Sequence, residues 1–339
     1  MVLGVGYSVL GVALPYTYTL RRSFFLTPQE SIRALAEHVK SAVLPHLGTW
    51  RSRKITGYAA SGDTTFSIDD IAEEAVESFI HDHALNVAYY SEDRGLIYPF
   101  PDKTPEGILI IDPIDGTRGA VAGLESCVVS VAWADFTPEP TVKDVRYAGI
   151  TEIKGNLTFS AERGKGVVIL NEQNQIITPA PLPTDTIPQT AWSAGLVGSP
   201  VDLIFQAIPN FVNQTTVRGG FFVLNSSAFE LTRLVTGQLS AVVDIRTRVL
   251  RDFPQTRPAF LQCGGGHCHS LYGYDVAAAI LIAQEAGCIV TDAWGRDQSD
   301  WNLLDTTEGN FGSLIAASNP TLHAKILEMI NTDLAGFKV

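Results

Sequence analysis

A chain of 339 residues, 45% of them hydrophobic and 18% charged, is long enough for one large domain or two, with a sizeable core. Its formal charge of −12 argues against a nucleic-acid polymer as partner, since the phosphate backbone would be repelled. Cys127 and Cys288 lie in apolar runs and read as core, so the four cysteines fit a reducing cytoplasm better than a disulfide framework.

The first 20 residues carry no charge and are followed by Arg21-Arg22. A membrane span needs about 20 apolar residues, but Gly4, Gly6, Gly11, Pro15, Thr17 and Thr19 dilute this run. No cationic stretch precedes it, as a signal peptide would require. Residues 1–25 are therefore expected to be an N-terminal extension packed on the domain or trailing from it. A membrane anchor is the lesser alternative, and a membrane partner is not expected.

Thr27-Pro28-Gln29-Glu30 is a capping box with proline at the first helical position. Ile32, Leu35, Ala36, Val39 and Val43 follow at helical spacing, which predicts a helix over 28–46. Ile71, Ala72, Ala75, Val76 and Phe79 make a second stripe, ending near His83. Strands are predicted at 87–91, 107–111, 126–134, 145–152 and 156–161, with a turn at Lys154-Gly155-Asn156. Residues 171–188, with Pro179, Pro181, Pro183 and Pro188, read as a linker. Beyond it strands (190–196, 239–244, 288–292, 313–318) alternate with helices (200–208, 226–237, 275–286, 320–331). The pattern predicts an α+β half over 26–178 and an α/β half over 185–332.

Ile110-Ile111-Asp112-Pro113-Ile114-Asp115-Gly116-Thr117 is the most informative run. Two carboxylates at i and i+3 close an apolar strand, and a glycine turn follows. Oxygen clusters of this kind suit hard divalent cations, and amides exposed in a turn suit a phosphate. Metal-assisted hydrolysis of a phosphate ester is the chemistry to expect. Three more segments accompany the run: Gly62-Asp63-Thr64-Thr65-Phe66-Ser67-Ile68-Asp69, Ser91-Glu92-Asp93-Arg94-Gly95, and Gly273-Tyr274-Asp275-Val276-Ala277-Ala278-Ala279.

In this order the set resembles the inositol monophosphatase family of Mg²⁺-dependent, lithium-sensitive phosphatases, over roughly Pro28 to Lys325. Its superfamily also holds fructose-1,6-bisphosphatases, bisphosphate nucleotidases and histidinol-phosphate phosphatases. The resemblance implies a layered αβαβα sandwich. It implies a first metal on Glu92, Asp112 and the Ile114 carbonyl, and a second on Asp112, Asp115 and Asp275. A third, looser metal would sit near Glu92 and Asp63. The ion is Mg²⁺, two or three per site, and Mn²⁺ could replace it. Asp63, Glu92 and Thr117 are implied as catalytic, with Thr117 and Asp63 orienting the attacking water. Asp115, Gly116, Thr117, Arg118, Ser227 and Asp244 are implied as substrate-binding. The chain departs from the family pattern at Phe66, Asp93, Gly119 and Tyr274.

Each residue has a plainer reading. Asp112 and Asp115 could close an Asx turn, Asp275 could be a helix cap, and Asp93 reads as solvated surface. Cys263-Gly264-Gly265-Gly266-His267-Cys268-His269 invites a zinc reading, but four ligands in seven residues are too tightly spaced, and a glycine-rich loop is expected. Residues 245–272 are an insertion relative to typical family members, and it carries Arg246, Arg248, Arg251 and Arg257. Such a cluster could grip a second anionic group on the substrate, or could be a solvated loop. The expected protein is a phosphomonoesterase for a small polyol or sugar phosphate, a homodimer, with a small-molecule phosphate ester as its partner. The other superfamily activities are the alternative. An inactive regulatory homologue is the non-enzymatic one.

Overall fold

The computed structural model describes residues 26–59 and 64–338, so the expectations for residues 1–25 and for Asp63 lie outside the described residues. Helix α1 (Pro28–Val43) begins as the capping box dictates. The Glu30 amide donates to Thr27 Oγ1 at 3.3 Å, and the Thr27 amide donates to the Glu30 carboxylate at 2.9 Å. An antiparallel hairpin, β1 (Ile55–Tyr58) and β2 (Thr64–Phe66), leads into α2 (Ser67–Asp82). That helix starts four residues before its apolar stripe, because the Asp69 carboxylate accepts from the Phe66 amide at 2.7 Å and holds the first turn.

The first sheet comprises β3 (Ala88–Ser91), β4 (Gly95–Ile97), β5 (Ile108–Asp115), β6 (Val128–Ala134), β7 (Val145–Glu152), β8 (Thr158–Glu162), β9 (Gly166–Leu170) and β10 (Ile176–Ile177). Their order is β10-β9-β8-β7-β6-β5-β3-β4, antiparallel except between β3 and β5. A short helix, α3 (Thr117–Ala122), separates β5 from β6. Strand β5 does not stop at Ile111, as the apolar run suggested, but carries on through both aspartates. The second half contributes β11 (Ala191–Ala194), α4 (Val201–Ala207), α5 (Pro209–Thr215), β12 (Gly220–Phe222), α6 (Ser227–Val235), β13 (Ala241–Asp244) and α7 (Arg246–Asp252). After them come α8 (Arg257–Cys263), α9 (Gly273–Glu285), β14 (Ile289–Thr291), β15 (Leu314–Ala317) and α10 (Pro320–Gly336). The second sheet runs β12-β11-β13-β15-β14.

The layers follow from which faces are apolar. Ile32, Leu35 and Val39 of α1 and Val76 and Phe79 of α2 cover Leu109, Ile111, Val129 and Val131 on one face of the first sheet. Ile110, Ala132, Ala148 and Ile150 face the other way, onto α6 and α9, which in turn meet Val242 and Ile315 of the second sheet. Ten of the thirteen residues of α9 are buried, and a helix with no polar face belongs in an interior layer. Phe211 of α5 and Ile326 and Ile330 of α10 belong to the same core, with α10 packed on β15. This is the αβαβα sandwich. The insertion is not all loop: α7 and α8 make up half of it.

One buried ion pair ties the first sheet to the middle layer. Arg233 of α6 reaches Glu152 of β7, with its guanidinium 4.2 Å over the Phe229 ring. Removing one partner of such a pair strands a buried charge, so Arg233→Ala should cost about 3–5 kcal/mol. Arg233→Met combined with Glu152→Gln should recover much of that loss. Urea unfolding of the three proteins checks this, and a loss under about 1 kcal/mol for the single variant would mean the pair is solvated.

Candidate active site

Strand β5 breaks register where its aspartates lie. Asp112 pairs with Ser130 and Asp115 with Val128, so three steps on one strand oppose two on the other. The bulge brings both carboxylates to the same cleft. Asp112 Oδ1 accepts from the Ile114 amide at 3.1 Å, so the Asx turn and the proposed ligand role coexist. Asp115 Oδ2 accepts from Ser226 Oγ at 2.8 Å and from the Ala228 amide at 2.5 Å, at the start of α6. Gly116 has φ +91°, and a Cβ there would lie 2.3 Å from the Ser126 carbonyl and 2.8 Å from Ser226 Cβ. Only glycine fits this turn. Gly119 is similarly constrained, since a Cβ would fall 2.7 Å from the same carbonyl; that excludes the larger residue the family pattern has there.

Glu92, Asp112, Ile114, Asp115, Gly116, Thr117, Arg118, Ser227 and Asp275 all line this cleft, which unites nearly every residue singled out in the sequence. Asp275 also behaves as the cap it could have been, accepting from the Tyr272 amide at 2.8 Å. Tyr274 stacks on Tyr272 with centroids 5.3 Å apart.

One partner is new and three assignments change. Among the described residues the carboxylate on Thr117 is Asp69, which the sequence had not singled out: Thr117 Oγ1 lies 3.1 Å from Asp69 Oδ1 and 3.1 Å from the Ile114 carbonyl. Asp93 is not solvated surface, because Thr65 Oγ1 donates to it at 2.5 Å. Asp244 is not turned to substrate. It is 2% exposed and bound side-on by Arg246, with Nε–Oδ1 3.0 Å and Nη2–Oδ2 2.6 Å. Of the four insertion arginines only Arg246 lines the cleft, where its Nη1 also donates to the Val197 carbonyl at 2.6 Å. Arg248 donates to the Ala293 carbonyl, Arg251 to those of Gly309 and Phe311, and Arg257 pairs with Glu308. These three close the fold rather than meet a ligand.

The donor set fits a hard divalent cation. It is all oxygen, four carboxylates and the Ile114 carbonyl, from three segments of chain. Among the described residues no group of three such side chains already stands at ion-holding spacing. Burial, and after it the charges of Glu92, Asp115, Asp275 and Asp69, holds the Asp112 carboxyl well above the usual range. Burial also lifts Asp115 to about 6, against the hydrogen bonds from Ser226 and the α6 amides. A bound cation is what would let these groups ionise together.

Beyond the cleft lies a wider chamber that shares Arg118, Leu196, Val197, Asn225 and His269 with it. Cys263 and His267 form part of its wall, and His269 is spent on the Gly264 carbonyl at 3.1 Å. The glycine-rich loop thus forms part of this wall.

Residues 29–334 match the Inositol monophosphatase family. A fructose-1,6-bisphosphatase/inositol-1-monophosphatase of Methanothermobacter thermautotrophicus is 27% identical over 300 residues, 87% of this chain and 94% of the relative. An inositol-1-monophosphatase of Aeropyrum pernix is 25% identical over 276 residues, 79% of this chain and 86% of the relative. Among solved structures, the Thermotoga maritima IMPase superimposes with a TM-score of 0.63 at 20% identity, covering 89% of this chain and 96% of its own.

Glu230 also lines the cleft, a residue that its apolar surroundings in Ala228–Val235 did not suggest as functional. Burial raises its carboxyl to about 8, opposed by a hydrogen bond from Ser193 and reinforced by Asp115 and Asp244. A carboxyl raised in the folded state binds more protons folded than unfolded between its ordinary 4.5 and about 8. Its contribution to stability is therefore present below 4.5 and is lost as pH rises through that window. Glu230→Gln should remove this dependence. The fall in unfolding free energy between pH 5 and pH 8 should shrink by on the order of 4 kcal/mol, measured by urea titration. An unchanged fall would mean that Glu230 is ionised in the fold.

Proposed function

Because the chain belongs to the inositol monophosphatase family, we propose that it is a Mg²⁺-dependent phosphomonoesterase for a small polyol or sugar phosphate. The observation that carries this is the convergence of Glu92, Asp112, Asp115 and Asp275 on one cleft beside the Gly116–Thr117 turn. Glu92, Asp112 and the Ile114 carbonyl would hold one Mg²⁺, and Asp112, Asp115 and Asp275 a second. Asp63 is retained as a candidate for a third. When bound, the metal supplies Lewis-acid stabilisation of the phosphoryl oxygens and acidifies a coordinated water.

The protein's own groups do the rest. The Thr117 hydroxyl donates toward Asp69 and the Ile114 carbonyl, which leaves the lone pairs of Oγ1 to accept a hydrogen bond from water and aim it. The Gly116 and Thr117 amides border the space where an ester phosphate would sit. Arg118 and Arg246 add positive charge to a cleft otherwise walled by acids. Ser227, at the head of α6, and Glu230 offer polar contacts to hydroxyl groups of the ester's organic part.

Thr117→Val should lower kcat by about 10²–10⁴ at saturating Mg²⁺, with Thr117→Ser close to wild type and Asp69→Asn nearer to valine. Asp112→Asn and Asp115→Asn should each abolish Mg²⁺-dependent phosphate release while the protein stays folded by circular dichroism. Near wild-type turnover by either asparagine variant would sink the metal assignment.

Substrate class is tested by phosphate release with Mg²⁺ from inositol 1-phosphate, fructose 1,6-bisphosphate, 3′-phosphoadenosine 5′-phosphate and histidinol phosphate. The polyol or sugar phosphates should be turned over best. A clear preference for the nucleotide or for histidinol phosphate would overturn this reading.

A further inference from the structure

Residues 38–62 contain no acid but hold Lys40, Arg51, Arg53 and Lys54, in a chain whose net charge is −12. The structure gathers most of this charge onto one turn. Arg51–Arg53 form a 3₁₀ turn in which Ser52 points inward, 2% exposed, with its hydroxyl on the Thr49 carbonyl at 2.6 Å. Trp50, Arg51, Arg53 and Lys54 all remain exposed. The turn is pinned to the start of α2: Ser67 Oγ donates to the Arg51 carbonyl at 2.6 Å, and the Ser67 amide to that of Lys54 at 2.8 Å. The side chains are therefore displayed from a fixed backbone.

Trp50 is 86% exposed, and Ile55 and Leu44 beside it in sequence are 55% and 44% exposed. A groove lined by His46, Trp50, Arg51, Arg53, Lys54 and Ile71 has no carboxylate in its wall. The ion pairs recorded among the described residues use none of Arg51, Arg53 and Lys54. Asp70 and Glu74 of α2, the helix packed against the turn, are not among the residues that line the groove. An exposed tryptophan ringed by cations is the composition of surfaces that meet a membrane interface, where the ring enters the headgroup region and the cations face anionic lipid.

The chain outside the described residues points to the same partner. Residues 1–29 hold no acid, residues 1–20 hold no charge, and Arg21-Arg22 follow. Neither stretch adds an acid that an anionic leaflet would repel. A nucleic acid or an acidic protein would account for the arginines but not for the apolar length or for Trp50. No helix among the described residues is long and apolar enough to cross a membrane. We propose that the Trp50–Lys54 face docks on an anionic lipid bilayer, a property independent of the phosphatase reaction.

The test uses the full chain with phosphatidylcholine vesicles, with and without phosphatidylserine. Three cations near an anionic leaflet should raise partitioning about 100-fold, roughly fivefold each. Arg51→Glu with Arg53→Glu and Lys54→Glu should abolish that gain, with phosphate release unchanged as the control for folding. Acyl-chain-brominated lipid should quench tryptophan fluorescence in the wild type and not in Trp50→Phe. This arm stands even if the triple variant does not fold. Equal binding to both vesicle types, or undiminished binding by the charge variant, would assign any attachment to residues 1–25 and overturn the proposal. So would an absence of binding. Binding without acyl-chain quenching that is competed away by nucleic acid would also overturn it, and would point to a polyanion instead.

Discussion

Four carboxylates from three segments share one buried cleft, and their mutual repulsion is the constraint that the surrounding layers answer. The fold meets it with helix starts. Asp69 sits in the first turn of α2 and accepts from the Phe66 amide, while Asp275 sits in the first turn of α9 and accepts from that of Tyr272. Asp115 lies against the first turn of α6 and takes the Ala228 amide. Each placement sets an acid against the positive end of a helix, worth about 0.3–1 kcal/mol when exposed and up to about 2 when partly buried. Asp112 has only the Ile114 amide, and its carboxyl is the one held well above its range, while Asp115 rises to about 6. Burial raises both; the neighbouring acids push Asp112 further, while the donors of α6 hold Asp115 back.

That requirement also explains the layering near the cleft. Helix α6 must begin at the end of β5 if its amides are to serve Asp115, and it lies with α9 between the sheets. Chain must then pass very close to chain. Gly116 and Gly119 make this approach against Ser126, and neither position has room for a Cβ. A methyl group at Gly116 would push the turn away from Ser226 and loosen the donors on Asp115. Packing and electrostatics are coupled here.

What could be read in the sequence was what is encoded locally. The capping box of α1, the apolar stripes and the Asp112–Thr117 turn each lie within a few residues, and each was found where expected. What escaped was set by distant partners. Asp69 looks like an ordinary acid in a first helical turn, and only the fold brings Thr117, 48 residues on, to its side chain. Asp93 looks solvated until Thr65 reaches it. Arg248 and Arg251 resemble an anion site by spacing, yet their partners are carbonyls of residues 293, 309 and 311, which no local pattern announces. Glu230 was hidden for the opposite reason, an acid inside a run so apolar that it reads as core.

Charge placement, more than net charge, then decides how an acidic protein handles an anionic ester. At physiological salt an exposed charge is felt over about 8 Å, so the acids that make the total −12 are mostly screened from the cleft. Inside it screening is weak, and the local balance matters. Arg246, fastened to Asp244 and the Val197 carbonyl, cannot swing away when the cleft empties. Asp244 faces it from the buried side, and the guanidinium is fixed on the cleft wall at no further entropic cost. A lysine at that position could not bind Asp244 side-on and would be free to leave. A buried, tethered arginine is the cheaper way to keep a positive group beside carboxylates that would otherwise repel every phosphate that approached.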